Sequence, residues 1–179
     1  RVAGLRQVYR GIFKDTQHLL EDFAGMHLEL PQEIRVPCEF TLQADLVEAV
    51  RGWEAPFPAE SLEPAAALVT LARRLALRLD FTPVAEHAAA QLRGVMRQLL
   101  DERHPRHFEA AANLLDAAER LGFELRRAEA EELLHEFLHR HVLPQLAAGP
   151  LEPAAAEFAA AALRFAERWA PESMPDLEE

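Results

Sequence analysis

Glycine, serine and asparagine are scarce in this chain, which has seven Gly, two Ser (Ser61 and Ser173) and one Asn (Asn113) among 179 residues. Tight turns and strand reversals draw on those residues, so a fold built from many short strands is excluded. A lone cysteine, Cys38, cannot make an internal disulfide. No signal peptide and no run of about 18 apolar residues occurs, so neither export nor a membrane span is expected, and a cytoplasmic location is the default. Neither G-x-G-x-x-G nor G-x-x-x-x-G-K-[ST] is present, so no phosphate cradle and no cofactor are expected. Positive charge is also in deficit. Thirty acidic against nineteen basic residues give a net charge of −11, a field that repels nucleic acid and anionic membrane surfaces.

What is abundant is Ala, Leu, Glu and Arg, the mixture that favours helix, so the fold class is all-α. With 50% of the chain apolar, its length suits one compact domain over residues 1–171, followed by a frayed acidic tail over 172–179. The chain opens at Arg1 directly inside an amphipathic pattern, which reads as a piece of a longer polypeptide.

About seven helices follow from periodicity and caps. Leu5, Val8, Tyr9, Ile12, Phe13, Leu19, Leu20, Phe23 and Met26 recur at three- and four-residue steps and predict one long helix over 3–26 with a single buried stripe. A second is expected from Pro37 to Gly52, a third from Ser61 or Glu63 to Ala76, with Ser61 as a cap, and a fourth from Thr82 to Arg103. A fifth runs from Pro105 to Gly122, a sixth from Arg126 to Val142 before Pro144, and a seventh from Pro153 to Trp169. Leu28-Glu29-Leu30, Leu77-Arg78-Leu79 and Phe123-Glu124-Leu125 each separate a finishing helix from a starting one, at spacings of 49 and 46 residues. That period predicts stacked antiparallel helical hairpins, three plus a closing helix.

The most pointed chemical pattern is His135-Glu136-Phe137-Leu138-His139, an H-E-x-x-H run with His141 close behind. Such spacing on a helix offers two imidazoles to Zn²⁺ and a glutamate as general base. At about 100° per residue, however, His135 and His139 fall opposite the stripe of Ala130, Leu133, Leu134, Phe137 and Leu138, and face outward. The metzincin continuation is missing, since Val142 and Gln145 stand where Gly and His belong. With eight His and twenty-three Glu, chance alone gives the run in roughly one of twenty such chains. A weaker metal reading gathers His104 and His107 beside His139 and His141 at one end of a hairpin, where they could bind a borderline metal or sense pH. Solvated histidines near helix ends are the simpler reading.

No other residues point to catalysis. Cys38 near a helix start could carry an acidified thiol, but an inert buried cysteine is the commoner outcome. Arg73, Arg74 and Arg78 alternate with Leu75, Leu77 and Leu79 and read as a solvated helix edge. Trp53, Phe57 and Trp169 are large aromatics outside the clear stripes, candidates for stacking on sugar or packing a neighbouring domain, although core packing is the commoner fate.

Tyr9-Arg10-Gly11-Ile12-Phe13, then Leu28-Glu29-Leu30-Pro31 leading to Ile34-Arg35-Val36-Pro37-Cys38-Glu39-Phe40-Thr41-Leu42, and then the repeated Leu-x-Leu turns, carry a resemblance across roughly residues 5–142. The pattern is similar to the all-helical domain that follows the catalytic barrel in bacterial members of glycoside hydrolase family 57, the α-amylase-like polypeptides. The resemblance implies an accessory domain that packs on an N-terminal barrel of the same polypeptide and helps shape its active site. In that family the catalytic carboxylates belong to the barrel, and no segment here matches their motifs, so no catalytic residue is carried over. Two competing expectations are a free-standing helical-hairpin interaction module and a zinc-dependent hydrolase using His135, Glu136 and His139.

Overall fold

The computed structural model describes residues 2–26, 28–55 and 57–170, so the expected tail over 172–179 lies outside the described residues. Among them the chain is all-α, as its composition predicts, with no strand. The helices are α1 (Val2–Gly25), α2 (Gln32–Arg51), α3 (Ala59–Arg74), α4 (Thr82–Glu102), α5 (Arg106–Leu121), α6 (Ala128–Phe137), α7 (Leu143–Ala147) and α8 (Pro153–Trp169). A π-helical turn, Leu138–Val142, joins α6 to α7.

Prolines account for most departures from the expected boundaries. The sixth helix does not stop before Pro144. Instead the amide of Leu143 donates to the carbonyl of Leu138, five residues back, and the helix resumes with Pro144 in the first turn of α7. A proline ring clashes with the carbonyl four residues before it in an α-helix, and one inserted π-turn widens the ladder where that clash would fall. Likewise α2 begins at Gln32 rather than at Pro37, with the Pro31 carbonyl accepting from the amides of Ile34 and Arg35 at 3.0 and 2.9 Å. Pro37 sits in the second turn, as Pro64 does in α3. Because α3 starts at Ala59, Ser61 lies inside the helix and is no cap; its carbonyl accepts the Trp53 indole N–H at 3.2 Å.

By density of contact the described residues group into two compact units, within residues 1–53 with 60–84 and within residues 54–59 with 85–179. In the first, α1 packs on α2 around Leu20, Leu30, Cys38, Leu42, Ala72, Leu75 and Leu77. Tyr9 meets Phe40 edge to face at 5.2 Å, and Arg6 and Arg10 reach Asp45 along the flank. Polar groups of α2 also hold the extended link before α4. Glu39 accepts the Arg78 amide at 3.0 Å, while the Gln43 side-chain amide bonds both the N–H and the carbonyl of Asp80, at 2.7 and 2.8 Å. An irregular backbone stretch is thereby satisfied without a sheet.

In the second unit Phe108 lies at the centre of an aromatic cluster. Its ring centroid is 6.0 Å from Phe137 and 5.6 Å from both Phe158 and Phe165, joining α5, α6 and α8. Buried alanines line the same helices, Ala110, Ala111, Ala117 and Ala118 on α5 and Ala159, Ala162 and Ala166 on α8, and their small side chains let the backbones approach closely.

The sequence repeat is a repeat of turn geometry. The amides of Leu28, Leu77 and Phe123 donate to the carbonyls of Phe23, Ala72 and Ala118 at 3.0, 2.9 and 3.1 Å, each closing a helix with a bond five residues back. After α3 and α5 this is the Schellman arrangement, in which the residue before the donor turns left-handed and the donor's side chain folds back over the last turn. Gly122 fills the left-handed position after α5 at φ 77°, whereas Ala76 occupies it after α3 at φ 51°. Leu77 and Phe123 are accordingly buried. Left-handed backbone strains any residue with a Cβ, so Gly122→Ala is expected to lower stability by about 1 kcal/mol and Ala76→Gly to raise it by about 0.5 kcal/mol. Urea unfolding followed by helical circular dichroism measures both, and equal effects of the two changes would contradict the shared turn.

Candidate functional site

The H-E-x-x-H run straddles the end of α6 and the π-turn. Ala130, Leu134, Phe137, Leu138 and Val142 are buried on the inner side, and His135 and His139 are exposed, as the helical phase predicts. Their rings lie side by side, with centroids 4.2 Å apart. Glu136 is engaged by Arg140 one turn on in an ion pair. A zincin needs that carboxylate free to take a proton from metal-bound water.

The histidines of the expected grouping pair with near neighbours along the chain. His104 and His107 face each other at 6.5 Å between ring centroids, His107 is buried and bonds Glu102 at 3.0 Å, and His104 Nδ1 accepts the Arg106 amide at 3.2 Å. His139 stands instead on His135, and His141 packs 5.5 Å from the Phe137 ring. Among the described residues no three His, Cys, Asp or Glu side chains converge on a point where a metal could sit. The expected grouping of His104 and His107 with His139 and His141 is therefore not formed as a ligand set. The i, i+4 neighbours within the helix take up the rings first.

Burial lowers the pKa of His141 below its ordinary value of 6.5, and the charges of Arg103 and Arg140 add to the effect, against a smaller opposing pull from Glu136. Cys38 is fully buried, and burial pushes its thiol up to about 11, with the neighbouring Glu39 adding to the rise. The position near the start of α2 therefore produces no acidified nucleophile. Bonds from Thr82 hold Asp80 below the usual carboxylate range, and bonds from Arg106 and His107 do the same for Glu102. A general acid needs a shift in the opposite direction.

The aromatic candidates for an open surface are all internal. Trp53 is 1% exposed and Phe57 0%, while Trp169 is 8% exposed beneath the Arg168 guanidinium, which sits 4.5 Å above its ring. None offers a face to a sugar. Trp53 owes its burial to the indole hydrogen bond to Ser61, which lets the whole ring enter the core with its polar atom satisfied.

Most exposed large apolar side chains lie elsewhere, on α1 and the turn just after it, with Leu146 apart on α7. Leu5, Val8, Leu19 and Met26 are 46%, 58%, 38% and 59% exposed, whereas Leu20 is buried and Phe13, Phe23 and Ala24 pack on the core. The expected single buried stripe of α1 is thus two faces. Its nine apolar residues span roughly 140° of the helix, wider than one partner helix covers, and that angular width is the signal that could have revealed the outward face. Leu28 and Val36 are also exposed in this unit. A solvent-open groove is floored by Leu20, Leu30 and Leu75 and lined by Arg35, Arg74 and Arg78, of which Arg74 pairs with Glu21 at 3.5 Å and Arg35 with Glu29 at 3.9 Å. No helix among the described residues is long and apolar enough to cross a membrane.

Comparison with protein-family models, with curated proteins and with solved structures finds no match to this chain.

Two outcomes follow from the shifted groups. His141 binds its proton less readily folded than unfolded, so the unfolded chain takes up more protons as pH falls below 6.5 and stability drops. Thermal melts between pH 7.5 and 5 are expected to show a fall in Tm that His141→Gln reduces; an unchanged slope in the variant would contradict the partly desolvated place of that ring beside Arg103 and Arg140. Cys38 should resist a thiol reagent at pH 8 in the native protein and react fully in denaturant. Rapid native labelling would refute that placement.

Proposed function

We propose that this chain is a non-catalytic helical accessory domain of a bacterial, cytoplasmic glycoside-hydrolase-like polypeptide, docking on an attached catalytic barrel and contributing contact surface in place of chemistry. The observation that carries the reading is the outward apolar face of α1, Leu5, Val8, Leu19 and Met26. Water-exposed apolar side chains repeating along one helix face are costly to leave bare and mark a surface that another protein covers. The sequence likeness over roughly residues 5–142 supports a barrel as the occupant. Engagement of Glu136 by Arg140, and the presence of only two adjacent histidines, speak against the hydrolase alternative. A free-standing interaction module rests on the same α1 face and differs only in what covers it.

The test combines the reading frame upstream of Arg1 with a paired substitution. Val8→Glu with Met26→Glu places charge on two side chains already more than half exposed, so Tm is expected to change by no more than about 3 °C. Binding to the separately produced barrel is expected to fall at least tenfold, read by calorimetry. A frame that encodes no barrel, or a barrel that binds wild type and variant equally, would overturn the proposal.

A further inference from the structure

We infer that His135 and His139 form a two-imidazole chelate for a borderline divalent cation of the Zn²⁺, Ni²⁺ or Cu²⁺ type, on the outer face of the second unit. Both rings are exposed, and their centroids are 4.2 Å apart across one helical turn. Neither ring bonds any other described group, so a lone pair on each is open to a ligand. Metal–imidazole bonds of about 2.0–2.1 Å place two ligating nitrogens within roughly 4 Å of each other, a separation that neighbouring rings reach by side-chain rotation alone. Imidazole suits this group of metals, whereas Mg²⁺ and Ca²⁺ call for oxygen donors.

The same geometry sets what the site does with an ion. Glu136 lies between the two histidines in sequence but is held by Arg140, and no third His, Cys, Asp or Glu converges there among the described residues. A four-coordinate ion would keep two positions for water or an external donor. Such a site binds reversibly and presents an open metal to whatever approaches, while lacking the free base that hydrolysis requires. The fold stands without the ion, since the buried side of this helix is filled by Leu134, Phe137 and Leu138.

The test uses the untagged full chain in chelator-free buffer, titrated calorimetrically with Ni²⁺ and, separately, Zn²⁺ at pH 7.5. One saturable ion per chain is expected, with affinity reduced at least tenfold in His135→Ala and in His139→Ala and unchanged in His104→Ala. Circular dichroism checks that each variant is folded, which exposed positions make the expected result. Absence of saturable binding by the wild type, or equal affinity in His139→Ala, overturns the assignment; loss in His104→Ala moves the site to the His104 and His107 pair and overturns it equally.

Discussion

Reversing direction with almost no glycine is the constraint on which this fold depends. Among the described residues Gly122 takes the left-handed position after α5 and Gly149, at φ 120°, lies between α7 and α8; after α3 the chain accepts Ala76 at φ 51°, and after α4 it accepts Arg103 at φ 49°. What holds the turns shut is the residue that follows. Leu28, Leu77 and Phe123 each close the helix by an amide bond five residues back, and burial of Leu77 and Phe123 anchors two of those bonds in the core. Backbone capping and hydrophobic burial reinforce one another, so the strain of an L-residue in left-handed backbone is offset locally.

The same economy governs the cores. Alanine dominates the inner faces of α5 and α8, so those helices approach closely and a few large rings settle the packing. Phe108 touches Phe137, Phe158 and Phe165, and one deletion there would loosen three helices at once. In the first unit the polar arms of α2, Glu39 and Gln43, hold the link before α4 through its backbone. Polar side chains thereby take the part that a neighbouring strand plays in a sheet protein.

The paired histidines lie on the outside of α6 and its π-turn. A proline at 144 forces the extra residue there, and π-turns often accompany functional positions because they offset the side chains that follow. The i, i+4 spacing leaves His135 and His139 adjacent and exposed, while His141 packs against Phe137. Charge pairing takes Glu136 out of play. The surface that remains apolar, along α1, is the one suited to a protein partner.

Much of this was legible in the residues. Composition determined the all-α class, cap and proline signals placed α4, α5 and α8 to within a residue or two, and helical phase put His135 and His139 outside. Those properties are local: they depend on propensity, on periodicity and on bonds within five residues. Tertiary structure decided the rest. Whether an apolar residue is core or surface depends on what lies opposite it, which is why nine similar side chains on α1 divide into a buried face and an open one. Trp53, Phe57 and Trp169 fall outside the clear stripes in sequence, and only packing makes all three internal, Trp53 with its indole satisfied by the Ser61 carbonyl and Trp169 beneath a guanidinium. Spacing along the chain can bring two histidines within one turn of each other, but convergence of a third ligand requires two elements to meet at the right height, and only packing sets that.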